Sequence, residues 1–103
     1  MKKQTFNNVS FMVDDGGWIE NPNHWVREFS EYTAEKDGIQ LTTEHWKLIE
    51  TARRYFDKYH CVEAERLICK EAGLRKLSVH HLFDGSMREF EKVAGLYQTW
   101  ATD

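Results

Sequence analysis

The chain is short of the residues that usually announce covalent chemistry. In 103 residues it has two cysteines, Cys61 and Cys69, one proline, Pro22, and six glycines. Two cysteines are too few for a disulfide scaffold. No glycine-rich phosphate loop, no H-E-x-x-H pair and no C-x-x-C occurs, so neither a cofactor, a metal nor a small-molecule substrate is expected. No apolar run approaches the roughly 18 to 20 residues of a spanning helix. The opening Met1-Lys2-Lys3-Gln4-Thr5 also lacks the apolar stretch of a secretory signal. The expectation is a cytoplasmic protein with no membrane partner.

What is present suits a globular protein of ordinary composition. The mass is 12.3 kDa, 41% of residues are hydrophobic and the mean hydropathy is -0.69. A chain of this size buries roughly two-thirds of its unfolded surface, which is enough for one modest core. Net charge is -3, which argues against a general nucleic-acid coat. The distribution is uneven. Residues 1–45 carry 4 basic and 8 acidic side chains, whereas residues 52–76 carry 7 basic and 4 acidic ones. A basic strip of that kind is either a solvated helix face or a surface for an anionic partner.

The pattern predicts a mostly helical α+β fold. Val9, Phe11 and Val13 alternate as on a strand, and Asn7-Asn8 before them reads as the turn of an N-terminal hairpin. Asp14-Asp15-Gly16-Gly17 breaks the strand, and Trp18-Ile19 follows as an apolar anchor. Five helices are expected after that. The first has Asn21 as N-cap, Pro22 in its first turn, Trp25 and Phe29 at helical spacing, and Gly38 as its stop. The second is capped by Thr42, with Leu41 packing on Trp46, and carries a wide apolar stripe through Leu48, Ile49, Ala52, Phe56 and Tyr59. Ala64 to Ala72 makes the third, ended by Gly73; Ser78 caps a short fourth; Ser86 and Glu89 form a capping box for the fifth, which ends at Gly95. The resulting organisation is one domain over 1–103: hairpin and anchor 1–20, helical body 21–95 and a C-terminal arm 96–103.

Within this frame the reactive residue types have plain readings. Cys61 and Cys69 are each expected in a helix of the body; within one helix they would lie about 12 Å apart, too far for a disulfide, and both read as small core or half-buried residues. Adding His80-His81 gives no zinc spacing. His24 and His45, each next to a tryptophan, read as packing or capping groups. Tyr97 and Trp100 stand out because two aromatics in a terminal segment must cover apolar surface on the body or on a partner.

Several segments, taken together, are similar to one family. Asp14-Asp15-Gly16-Gly17-Trp18-Ile19, Trp25 and Gly38-Ile39-x-Leu41-Thr42-x-Glu44-His45-Trp46 are followed by Arg54-Tyr55-Phe56, Tyr59, Arg66-Leu67, Leu82-Phe83 and Val93-Ala94-Gly95-Leu96. In that order they resemble the DsrC/TusE family, which includes the gamma-type subunit of dissimilatory sulfite reductase and the sulfur-relay protein of tRNA thiolation. The resemblance implies a five-helix orthogonal bundle with an N-terminal hairpin, winged-helix-like. It also implies a C-terminal arm whose penultimate cysteine carries sulfur and, in the sulfite-reductase type, a second cysteine just before the Lys-Ile-Ala-Gly-Leu segment, able to pair with the first.

The chain departs from the family where sulfur is handled. Glu91 stands at the second cysteine position and Thr102 at the penultimate one. Both arm prolines and its glycine are replaced in Leu96-Tyr97-Gln98-Thr99-Trp100-Ala101-Thr102, and Glu63 takes the place of a proline before Arg66. Sulfur relay needs a thiolate nucleophile, which neither Glu91 nor Thr102 supplies. The primary reading is therefore a non-catalytic binding or regulatory protein of sulfur metabolism, with a sulfite reductase or sulfur-relay protein as partner. The resemblance points to Arg66, Arg88, Lys92, Tyr97 and Trp100 as contacts, although the cations could equally pair with neighbouring glutamates. Two alternatives stay open: a sulfurtransferase using a body cysteine, and a DNA-binding regulator using the basic strip from Arg53 to Lys76 as a helix-turn-helix reader.

Overall fold

The computed structural model describes residues 2–96. Strands β1 (Lys2–Phe6) and β2 (Val9–Val13) pair antiparallel with Phe6 opposite Val9, so Asn7-Asn8 is a two-residue turn. Both asparagines are left-handed, at φ 52° and 69°, as a hairpin turn matched to the strand twist requires. Phe11 and Val13 point inward and are buried, and Ile19 bridges back to Val13. The break between them is an Asx turn in which Asp14 Oδ1 accepts from the amides of Gly16 (2.9 Å) and Trp18 (3.0 Å).

Five helices follow: α1 (Arg27–Lys36), α2 (Thr43–Tyr59), α3 (Glu65–Ala72), α4 (Ser78–Leu82) and α5 (Met87–Ala94). The main core gathers Leu48, Ile49, Ala52 and Phe56 of α2 around Ile68 and Cys69 of α3, Val79 and Phe83, and Phe90, Val93 and Ala94 of α5. The wide stripe on α2 thus faces several neighbours, as its breadth implies. A smaller cluster seats Phe11, Val13 and Ile19 on Phe29 of α1, with Phe11 and Phe29 edge to face at 5.4 Å. Among the described residues no helix is long and apolar enough to cross a membrane.

Four local expectations need correction. The first predicted helix is interrupted: Asn21 caps only a 3-10 turn, Pro22–His24, through the Asn23 amide, then Trp25 and Val26 are extended before α1 starts. The interruption lets Trp25 turn onto the far end of α5. Ser78 is the first residue of α4, and Leu77 occupies the cap position. The capping box of α5 is half made, because Ser86 Oγ accepts from the Glu89 amide (3.1 Å) while the Ser86 amide donates to the Phe83 carbonyl. Finally, Cys61 is not helical. His60, left-handed at φ 57°, ends α2, and Cys61 sits exposed in the connection to α3. Cys69 is fully buried, as expected.

Candidate functional site at the root of the C-terminal segment

Helix α5 delivers the chain to the C-terminal segment. Gly95 closes the helix at φ 73°, and the amides of Gly95 and Leu96 donate to the carbonyls of Lys92 (3.2 Å) and Glu91 (2.9 Å), a Schellman pair. The Gly95 carbonyl then points at α2. There Arg53, 6% exposed, donates from Nη1 to Gly95 O (2.8 Å) and from Nη2 to Pro22 O (2.9 Å). One guanidinium fork thereby ties the end of α5 to the start of the helical body. Burial pulls this guanidinium below its ordinary value, and the Asp57 carboxylate 3.6 Å away works the other way.

Trp25 covers the same junction. Its ring lies so close to Gly95 that an added Cβ there would fall 2.4 Å from Trp25 Cδ1. The indole Nε1–H donates to Ser30 Oγ (2.8 Å), and the Ser30 hydroxyl donates to the Val93 carbonyl (2.6 Å). The Arg53 guanidinium sits 4.9 Å from the Trp25 ring centroid, within cation–π range. Leu96, 1% exposed, completes the plug. The root is therefore fixed from α1, α2 and α5 together.

A carboxyl cluster flanks it. Lys92 Nζ pairs with Asp37 Oδ2 at 3.2 Å. Burial, followed by the Asp37 carboxyl, pushes Glu89 up to about 7. Burial also works to raise Asp37, but hydrogen bonds from Glu89 and Lys92 prevail and hold it below its ordinary value. The two carboxyls thus shift each other in opposite directions beside a lysine. Farther away, His45 Nδ1 accepts from the Thr42 amide (3.0 Å) while Nε2 lies 2.9 Å from the Leu82 carbonyl. That leaves Nε2 as the donor, so His45 is a capping and packing group and no base.

The sequence-expected contacts scatter over this frame. Arg66 is exposed on α3 and Arg88 exposed on α5, whereas Lys92 is partly buried and tied to Asp37. Glu91 is 1% exposed. Tyr97, Trp100 and Thr102 lie outside the described residues. The basic strip loses its first member, since Arg53 faces inward and spends its donors on two carbonyls. Arg53 and Ser30 carry the root geometry and were missed as site residues. A signal for Arg53 existed: it falls one turn from Ile49 and Phe56, inside the apolar stripe of α2, where a cation must have buried acceptors to meet.

Comparison with known proteins decides the family. The family model described as "DsrC like protein" matches residues 5–99. The chain belongs to the DsrC family. It is similar to the "Sulfite reductase, dissimilatory-type subunit gamma" of Nitratidesulfovibrio vulgaris, at 31% identity over 98 residues that cover 93% of each chain. It is also similar to the "Sulfurtransferase TusE" of Buchnera aphidicola subsp. Schizaphis graminum, at 28% identity covering 81% of this chain and 80% of that one. The fold matches the crystal structure of dissimilatory sulfite reductase I (DsrI) with a TM-score of 0.83, over 99% of this chain and all of the other, at 22% identity. The helices and hairpin expected of a DsrC protein are thus the ones observed.

Proposed function

We propose that this DsrC-family chain acts by binding, with no sulfur carried on its C-terminal segment. The supporting observation is Glu91: a buried carboxyl occupies the place where the family resemblance puts one arm thiol, and Thr102 occupies the other. Neither group accepts a sulfane sulfur. The partner on this reading is a protein of the sulfite reductase or sulfur-relay type, met in the cytoplasm. The segment from Leu96 serves as a docking arm, and the protein regulates or competes with a thiol-bearing relative. Arg66, Arg88, Tyr97 and Trp100 are the proposed contacts. Lys92 is a weaker one, because it is already committed to Asp37.

One observation favours a second reading. Cys61 is exposed in a connection, so a relay protein using that thiol is chemically possible. A single experiment separates the two. The full chain and its Cys61→Ser variant are incubated with a persulfide donor, and intact masses are recorded. The binding reading expects no adduct on either, together with saturable competition against a cysteine-bearing DsrC protein for purified dissimilatory-type sulfite reductase. A gain of about 32 Da, one added sulfur, on the native chain but not on Cys61→Ser overturns it in favour of the second.

A further inference from the structure

The outward face of α2 carries a repeated doublet. Arg54-Tyr55 and Lys58-Tyr59 are four residues apart, so the two cations form one row along the helix and the two rings a parallel one. The rings pack on each other at 4.7 Å between centroids. Lys58 Nζ stands 5.2 Å from the Tyr59 centroid, and Tyr59 is 53% exposed. With Thr51 and Glu71 these four side chains line an open depression of about 430 Å³.

Charge in this depression is unbalanced. Among the described residues neither Arg54 nor Lys58 has an acidic partner; Arg54 reaches only the Thr51 hydroxyl, at 3.4 Å. Asp57, the acid between them in sequence, turns instead to Arg53. Glu71, the one acid at the rim, lies against the buried Glu63 carboxyl, which burial and then Glu71 push up to about 7. Two cations and two rings therefore face solvent against a single rim carboxylate, Glu71, which lies against Glu63, on a chain whose net charge is -3.

We propose that this face of α2 is a docking site for an acidic segment of a protein partner, one with two carboxylates about 6 to 7 Å apart. That is the rise between Arg54 and Lys58 on the helix, and it matches acidic residues at alternate positions of an extended strand. The carboxylates meet the cation row, and the tyrosine row takes the segment's apolar body. A nucleic acid fits less well: two cations neutralise few phosphates, and the net charge of the chain repels a polyanion. Tyr55 of this site neighbours the Cys61 thiol, but its test reads peptide binding and the test of the arm reads sulfur uptake and competition, so the failure of one and the failure of the other are distinguishable.

The test is a titration of the isotopically labelled full chain with a blocked synthetic peptide of sequence Ala-Asp-Trp-Asp-Ala, followed by amide shifts at low and moderate salt. Saturable shifts confined to residues 51–59 and to Glu71 are expected, weakening as salt rises. The double charge-removal variant Arg54→Gln, Lys58→Gln should bind about five- to tenfold more weakly, as expected for two exposed ion pairs. Its unfolding midpoint should not change, because both side chains are solvated. Tyr59→Ala should weaken binding with the same fold retained, and a variant truncated after Leu96 should bind like the full chain. The proposal is overturned if the double variant binds like the native chain or if the shifts fall elsewhere. It is equally overturned if a short oligonucleotide binds the same residues more tightly than the peptide.

Discussion

Gly95→Ala should be far more damaging than the same substitution at Gly73, although the two glycines share a backbone conformation. Both end a helix in the left-handed region, at φ 73° and 75°, so each alanine meets the same backbone strain, about 1 to 2 kcal/mol. Each also gains the same entropic relief from a stiffer unfolded chain. The surroundings differ. A Cβ at Gly73 meets nothing within 4 Å, whereas at Gly95 it falls 2.4 Å from Trp25 Cδ1. Trp25 cannot retreat without lengthening its 2.8 Å bond to Ser30, worth about 1 kcal/mol, and shifting a packed ring costs roughly 1 to 3 kcal/mol. Urea unfolding should therefore show Gly73→Ala losing about 1 kcal/mol and Gly95→Ala losing about 3 to 5 kcal/mol, a large share of the stability of a small domain. In a Trp25→Ala background the Gly95→Ala penalty should shrink to the Gly73 value, since the coupling runs through one ring. If the two glycines cost the same in the native background, the claim that Trp25 locks the end of α5 is wrong.

Arg53→Met should cost about 2 to 4 kcal/mol in urea unfolding, because it orphans the buried carbonyls of Gly95 and Pro22. Arg53→Lys should restore only part, since one ammonium cannot reproduce the fork, and full stability in Arg53→Met would refute the clamp. Glu89 and Glu63 both titrate near 7 in the fold against an ordinary 4.5, so the native state holds protons that the unfolded chain releases. Stability should then be full below about pH 4.5 on this account and decline as pH rises through 7, and Glu89→Gln should flatten part of that decline. Asp37, held below its ordinary value, contributes oppositely and only in more acidic solution, where its protonation removes stability. A thiol reagent should modify one cysteine per native chain, Cys61, and two in denaturant, because Cys69 is fully buried; two fast thiols in the native state would contradict the packing of α3.

The sequence was most legible where local chemistry alone sets the backbone. Asn7-Asn8 accept left-handed angles that few residues tolerate, and Gly38, Gly73 and Gly95 end helices for the same reason. It was least legible where a distant contact wins. Nothing between Pro22 and Val26 announces a break; the break exists because Trp25 packs on Gly95 some seventy positions later. Ser86 and Glu89 have the spacing of a full capping box, yet Glu89 turns to Asp37 across the α1–α5 contact, a choice no local rule can see. A helical Cys61 is the natural expectation because hydrophobic period alone does not mark an end formed by a left-handed histidine, His60. In the candidate site the departures from family pattern were visible at once as residue identities. The fork of Arg53 was not, because its two acceptors are backbone carbonyls that leave no mark in the sequence.

The fixed root sharpens what Glu91 means. Its carbonyl accepts the Leu96 amide, and the next turn is pinned by Arg53, Ser30 and Trp25, so this position cannot swing outward to meet a reactant. Whatever happens there depends on the side chain in place. In the family arrangement that resemblance implies, a thiol waits at this spot for a second thiol from the arm, and two sulfurs can exchange electrons and store a sulfur atom. A carboxyl and a hydroxyl at those two sequence positions supply no sulfur and can at most form hydrogen bonds. A buried carboxyl is tolerated only where it is partnered, so Glu91 is no neutral filler. Sulfur handling through Cys61, were it detected, would leave this unchanged. It would add a thiol on the surface of the body without restoring a two-sulfur exchange at the root of the C-terminal segment.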